Sequence, residues 1–115
     1  MASSEPFAQW DVVVLPFPYT DRLAEKRRPA VVISKPWVAK DFGLLWVAMI
    51  TSAGNNSWAA DIQIENLRKT GLSTPSVIRP IKIATIEAER VVRKIGGLGS
   101  KEIKAVKAVL SKILL

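Results

Sequence analysis

The side chains that most often carry chemistry are missing from this chain. It has no histidine and no cysteine. There is therefore no imidazole to shuttle protons near neutral pH and no thiolate to serve as nucleophile or metal ligand. Any catalysis must run on Arg, Lys, carboxylates, hydroxyls or backbone groups. The densest group of these is Lys26, Arg27 and Arg28, three cations in a row. The acidic residues are scattered, with no tight carboxylate group to hold Mg²⁺. No glycine-rich phosphate loop, nucleophile elbow or zinc-protease motif is present, and Gly96-Gly97-Leu98-Gly99 reads as a turn. The expected metal and cofactor complement is none. Lys and Arg number 17 against 10 for Asp and Glu, a formal charge of +7. On a domain this small, that excess suits a polyanionic partner, nucleic acid or acidic protein.

The elements that must position these cations follow from the apolar pattern. At 115 residues and 49% apolar, the chain suits one domain with its own core. We expect a flexible tail over residues 1–9 and a single domain over 10–115. Asp11–Phe17 is β-branched and stopped by prolines, a strand. Pro18–Arg28 is polar and reads as a loop. Ala30–Ser34 follows as a strand, with Pro29 just before it. Leu44–Ser52 is apolar throughout and reads as a strand buried on both faces. Ala53–Trp58 is a loop by composition, and Ala60–Glu65 alternates as a half-exposed strand. Asn66 can cap a helical turn that Gly71 stops. Ser76–Ile86 alternates, and Pro80 within it implies an edge, a bulge or a break between two short strands. Arg90–Gly99 supplies a last strand. Ser100–Leu115 is a helix with Ser100 as N-cap, Glu102 in the first turn, and Ile103, Val106, Val109, Leu110, Ile113 and Leu114 on one arc. No helix is expected between the early strands, so a parallel sheet is disfavoured. The fold class is α+β, mostly β: a small SH3-like antiparallel barrel with a C-terminal α-helix. No apolar run reaches the ~20 residues that span a bilayer. No secretory signal opens the chain, so a cytoplasmic location is expected.

Three stretches, in order, give this pattern a family likeness. They are Asp11–Asp21 (DVVVLPFPYTD), Lys26–Ser34 (KRRPAVVIS) and Ala48–Ser52 (AMITS). With Gly71–Glu87 and the IGGLG-plus-helix ending, the chain resembles the MazF/PemK toxins of type II toxin–antitoxin systems over residues 10–115. Single pieces such as Arg-Arg-Pro are common; the ordered set is specific. Trp10 stands where the family usually has glycine. Arg79 is followed by Pro80 and Ile81 rather than by an acid, and the first loop has no histidine. These departures fit the branch whose chemistry rests on an Arg and a Thr.

The resemblance implies a metal-independent endoribonuclease that cuts single-stranded RNA. The substrate's own 2′-hydroxyl attacks the adjacent phosphorus, leaving 2′,3′-cyclic phosphate and 5′-hydroxyl ends. It implies Arg28 and Thr51 as catalytic residues, with Ser52 and Arg79 as candidate accessories. Without it, Arg28 reads as a surface cation and Thr51 as a strand-end hydroxyl. A guanidinium that stays protonated and can hold two phosphate oxygens suits charge stabilisation. Lys26, Arg27, Tyr19, Asn55, Asn56 and Trp58 are the expected RNA contacts. Trp58 either stacks on an unpaired base or packs under its own loop. The family also implies a homodimer and an acidic antitoxin that competes with RNA for one basic groove. Two rivals share the fold: a CcdB-like gyrase poison and a non-catalytic nucleic-acid-binding barrel.

Overall fold

The computed structural model describes residues 7–17 and 26–115, and statements of structure below concern these residues. Residues 1–6 of the expected tail 1–9, the expected RNA contact Tyr19 and most of the first loop lie outside them. Phe7–Gln9 are described, and they are tied to the domain. Phe7 packs on the core, the Ala8 N–H donates to Asp11 Oδ2 (2.9 Å), and Gln9 Nε2 donates to the Ile33 carbonyl (2.8 Å).

Six strands form one antiparallel sheet. They are β1 (Asp11–Pro16), β2 (Arg27–Val32), β3 (Leu44–Ser52), β4 (Ile62–Gln63), β5 (Ser76–Glu87) and β6 (Arg93–Gly97). The order across the sheet is β4-β5-β3-β2-β1-β6. Period-two alternation in the central strands sorts their side chains into two cores. Val12, Val31, Ala48, Ile50 and Ile78 face one side, where the C-terminal helix adds Val106. Val13, Ala30, Val32, Val47 and Met49 face the other, with Leu15 and Leu45. β3 is central and sends apolar side chains into both cores, but its two-sided burial is incomplete: Trp46 is 44% exposed and the strand end at Ser52 is open.

Among the described residues there are three α-helices: α1 (Pro36–Phe42), α2 (Leu67–Thr70) and α3 (Ser100–Leu114). The expectation of no helix among the early strands is corrected by α1, which joins β2 to β3. Its signals are ordinary, Pro36 at the start and Gly43 as a left-handed C-cap (φ 68°). It links antiparallel neighbours, so the sheet remains antiparallel as expected. The turn α2 is capped by Asn66, whose side chain accepts from the Lys69 N–H, and is closed by Gly71 (φ 79°), as expected. In α3 the N-cap is Gly99 and Ser100 is already helical, a one-residue correction. Val106 is fully buried and Ile103 and Leu110 pack beside it, whereas Ile113 and Leu114 at the end of the apolar arc are exposed. Buried Glu102 ties α3 to the sheet by accepting the Glu65 N–H (2.8 Å).

Several strand boundaries differ from expectation; β1 ends at Pro16, β2 at Val32 and β5 at Glu87. Arg27–Pro29 belong to β2, because the β1–β2 ladder runs on to Pro16↔Arg27. Only Ile62–Gln63 of Ala60–Glu65 pairs with β5. The 3₁₀ turn Ala88–Arg90 shortens the last strand to β6. Of the effects expected of Pro80, the structure shows a bulge within one strand. Met49 faces Arg79 while Ala48 faces Ile83, so Pro80, Ile81 and Lys82 loop out of the ladder. The missing proline N–H costs nothing there.

Trp10 has φ 78°, the left-handed region that favours glycine. Its N–H donates to the Val32 carbonyl (2.7 Å) and its carbonyl accepts the Leu98 N–H (3.0 Å). The backbone at this position is therefore clamped between β2 and the end of β6. Packing of the Trp10 ring on the core accompanies a conformation that a side chain rarely adopts.

Candidate active site

The β2–β3 ladder stops at Ala30↔Met49. Beyond it the two strands part. Arg27–Pro29 pair with β1, and Ile50–Ser52 pair with β5. Pro29 has no N–H to extend the ladder, so the Arg-Arg-Pro sequence opens the sheet at the point where its cations begin. The gap forms an open pocket of ≈ 410 Å³. Arg27, Arg28, Thr51, Ser52 and Asn55 line it from β2 and from the end of β3. The α2–β5 loop with Ser73 and Thr74, Ser76 of β5 paired beside Ser52, and Arg93 and Ile95 of β6 complete the lining.

Among the described residues, the lining contains three arginines, five hydroxyl residues and one amide, and no carboxylate. Such a surface attracts anions, and guanidinium and hydroxyl donors suit phosphate oxygens. Arg28 and Thr51 are half-buried, whereas Arg27, Ser52 and Arg93 are exposed. Thr51 Oγ1 accepts a hydrogen bond from Asn55 Nδ2 at 2.7 Å, and the Asn55 N–H donates back to the Ser52 carbonyl at 3.1 Å. The loop after β3 is thus folded against the strand end it leaves.

Two glycines let the α2 and β6 sides of the lining approach each other. A Cβ on Gly71 would lie 2.0 Å from the Ile95 carbonyl oxygen, and one on Gly96 would lie 2.4 Å from that of Lys69. Backbone contact between α2 and β6 therefore sets the position of the Gly71–Thr74 segment and of Arg93 relative to the pocket.

Arg79 is placed differently from the other arginines. It is buried (6% exposed) and does not line the pocket. Its Nε donates to Asp61 Oδ1 (2.9 Å), and its Nη2 donates to Asp61 Oδ2 (2.8 Å) and to the Asn56 carbonyl (2.6 Å). The guanidinium lies 4.3 Å from the centre of the Trp58 ring, a cation–π stack. The carboxylate that Arg79 lacks in sequence is therefore supplied by Asp61. Arg79 hydrogen bonding holds the Asp61 carboxyl below its ordinary range. Burial opposes that shift, and the Trp58 N–H adds to it.

Of the residues singled out from sequence, Arg28, Thr51, Ser52, Arg27 and Asn55 meet at the pocket. Lys26 is exposed beside Arg27. Asn56, Trp58 and Arg79 gather in the neighbouring cluster around Asp61. Trp58 keeps 41% of its surface exposed with Arg79 against its ring. Arg93, Asp61 and the Gly71–Thr74 loop were not anticipated. Arg93 is one of several cations near β6, and only the pairing Val14↔Arg93, with Val14↔Pro29 on the other side, brings it near β2. Among the described residues no group of three or more His, Cys, Asp or Glu could hold a metal. None of their helices is long and apolar enough to cross a membrane.

Comparison with known proteins gives a consistent result. The family described as PemK-like, MazF-like toxin of type II toxin-antitoxin system matches residues 8–114. A MazF crystal structure from Deinococcus radiodurans superposes with a TM-score of 0.76 at 17% identity, covering 95% of this chain and 96% of that one. The Mycobacterium tuberculosis toxin MazF-mt6 gives 0.71 at 20% identity, covering 89% and 93%. An endoribonuclease in complex with its cognate antitoxin, from a mycobacterial species, gives 0.72 at 11% identity, covering 95% and 93%. At these identities the superpositions establish the fold. No curated protein sequence matches the chain.

Proposed function

The chain belongs to the PemK-like, MazF-like family of toxins of type II toxin–antitoxin systems, and from that premise we propose that it is a sequence-specific endoribonuclease for single-stranded RNA, with Arg28 and Thr51 at its catalytic centre. The observation that carries the proposal is the parting of β2 and β3 around Pro29. It delivers Arg28 and Thr51 to one pocket with two further arginines and, among the described residues, no carboxylate.

The reaction is a transesterification within the substrate. The 2′-oxygen bonds to phosphorus and gives up its proton. The bond from phosphorus to the 5′-oxygen breaks, and that oxygen takes up a proton. The protein supplies alignment and charge stabilisation rather than a nucleophile. Arg28 holds non-bridging oxygens as charge accumulates on them, with two N–H donors in a fixed fork. Thr51 contributes a hydroxyl to the same phosphate, and Ser52 stands beside it on the exposed side. Arg27, Arg93 and Lys26 attract the flanking phosphates. Trp58, with one face on Arg79, keeps surface on which an unpaired base can stack. Arg79 itself is a support rather than a phosphate ligand. No metal or cofactor enters this scheme. Product ends and arrest of translation and growth follow from the same chemistry.

Two partners accompany the reading. Structures of MazE–MazF from Deinococcus radiodurans share this fold, and an acidic antitoxin segment would compete with RNA for the arginine-lined pocket. A homodimer would join two such pockets into one groove, in the cytoplasm where RNA is met. The test is incubation of the purified protein with long single-stranded RNA in EDTA, beside Arg28→Ala, with the product ends mapped. Specific cuts with 2′,3′-cyclic phosphate ends, lost in Arg28→Ala, are expected. Intact RNA from folded, antitoxin-free protein overturns the ribonuclease reading and directs attention to gyrase inhibition and RNA binding without cleavage.

A further inference from the structure

The loop after Thr51 is held from beneath by a cluster of which the proposed chemistry uses only the outer face of Trp58. Arg79 binds both oxygens of Asp61 and the carbonyl of Asn56. Asp61 Oδ2 also accepts the Trp58 N–H at 2.9 Å. Trp58 covers the guanidinium. Both ends of the segment from Asn56 to Asp61 are thereby pinned to β5, beginning one residue after Asn55. The bulge at Pro80–Lys82 directly follows Arg79 and fixes its place on β5. With side chains of Arg79 and Asp61 each 8% exposed, the cluster is shielded from water, and its geometry holds the loop more firmly than a surface pair would.

The consequence reaches Thr51. Asn55 Nδ2 donates to Thr51 Oγ1 at 2.7 Å. A hydroxyl has one proton. When its oxygen accepts from an amide N–H, its own O–H is turned elsewhere, and Thr51 lines the pocket. We propose that Asn55, held in place by the Arg79–Asp61 clamp, is a positioning residue that orients the Thr51 hydroxyl as a hydrogen-bond donor toward a phosphate oxygen in the pocket. Arg79 thus acts on the reaction through the loop and not by touching the phosphate. The phosphate in this statement rests on the ribonuclease reading; the clamp and the Asn55–Thr51 bond do not. No bond is made or broken at Thr51. It donates to a non-bridging oxygen while the 2′-oxygen attacks and the 5′-oxygen leaves.

Two measurements test this together: the side-chain amide resonances of Asn55, and cleavage kinetics on single-stranded RNA in EDTA. Asp61→Asn keeps the shape of the side chain but removes the charge that grips Arg79. It is expected to shift the Asn55 amide resonances and lower kcat about 10-fold, with any rise in KM reporting the Trp58 stacking surface that Asp61 also holds. Asn55 is exposed, so its variants leave the fold intact. Asn55→Ala is expected to lower kcat by about 10-fold. Asn55→Asp places an acceptor where the donor stood, captures the Thr51 proton and adds negative charge. A loss of about 100-fold at neutral pH is expected. That deficit should narrow as pH falls toward the ordinary carboxyl range near ~4, where the protonated group again donates to Oγ1. Asn55→Asp with wild-type kinetics at every pH overturns the proposal. Unchanged Asn55 resonances in folded Asp61→Asn overturn the clamp alone. Absence of cleavage by the wild-type chain overturns the ribonuclease reading, and the phosphate-donor role with it.

Discussion

Replacing Asp61 by alanine tests the support beneath the pocket in a way that needs no substrate. The substitution deletes three hydrogen bonds, two from Arg79 and one from the Trp58 N–H. It leaves the Arg79 guanidinium, 6% exposed, without its carboxylate. Removing one member of a buried ion pair costs about 3–5 kcal/mol, most of it from the charge left behind. At about 4 °C per kcal/mol for a domain of this size, Tm should fall by about 12–20 °C. The pair itself has a different value, because its desolvation offsets much of its attraction. Arg79→Met combined with Asp61→Leu should therefore be far less destabilising than the sum of the single changes. The pH dependence follows from the lowered folded-state pKa of Asp61. A depressed carboxyl stabilises the fold fully above its unfolded value of ~3.9 and loses that contribution as pH falls through the folded value. The Tm gap between the wild type and Asp61→Ala should thus be constant from about pH 8 to 5 and shrink below about pH 4. Thermal unfolding followed by circular dichroism across this range measures both effects. A Tm loss of only a degree or two at pH 7, or a gap that widens in acid, refutes the reasoning.

Other consequences follow from the same geometry. Gly96→Ala puts a Cβ 2.4 Å from the Lys69 carbonyl oxygen. Because the obstacle is backbone, it should cost about 3 kcal/mol or more and appear as a lowered midpoint in urea unfolding. At Trp10, with φ 78°, glycine and alanine both lose the ring's packing, but only alanine keeps the left-handed penalty. Trp10→Gly should therefore be about 1 kcal/mol more stable than Trp10→Ala, and equal stability would show that the backbone relaxes there. Arg28→Lys should recover little of the cleavage lost in Arg28→Ala, since an ammonium does not offer the two-pronged contact; rates of single-turnover RNA cleavage decide this. Arg93→Ala should weaken single-stranded RNA binding and reduce the slope of log K against log salt by about 0.7, read by fluorescence polarisation over a salt series.

Much of the architecture was legible along the chain because strand pairing is recorded in local periodicity. Continuous apolar character marked β3 as central, the Asn66 and Gly71 caps bracketed α2, and the 3.6-residue pattern of α3 predicted the burial of Val106. The ordered stretches around Arg28 and Thr51 pointed to the family that the profile match identifies. Charge was equally plain: 17 cations against 10 anions and no histidine. These are properties of short windows or of composition, and no folding is needed to read them. What only the tertiary structure decided is which distant groups meet. Asp61 gives no local sign that it will grip Arg79, because their meeting depends on β4 pairing beside the bulge in β5. Arg93 reaches the pocket through its register opposite Val14, and Pro29 opens the site because β2 lies between β1 and β3. Such contacts are set by loop closure and register, which are non-local, whereas propensity and amphipathic period act over a few residues.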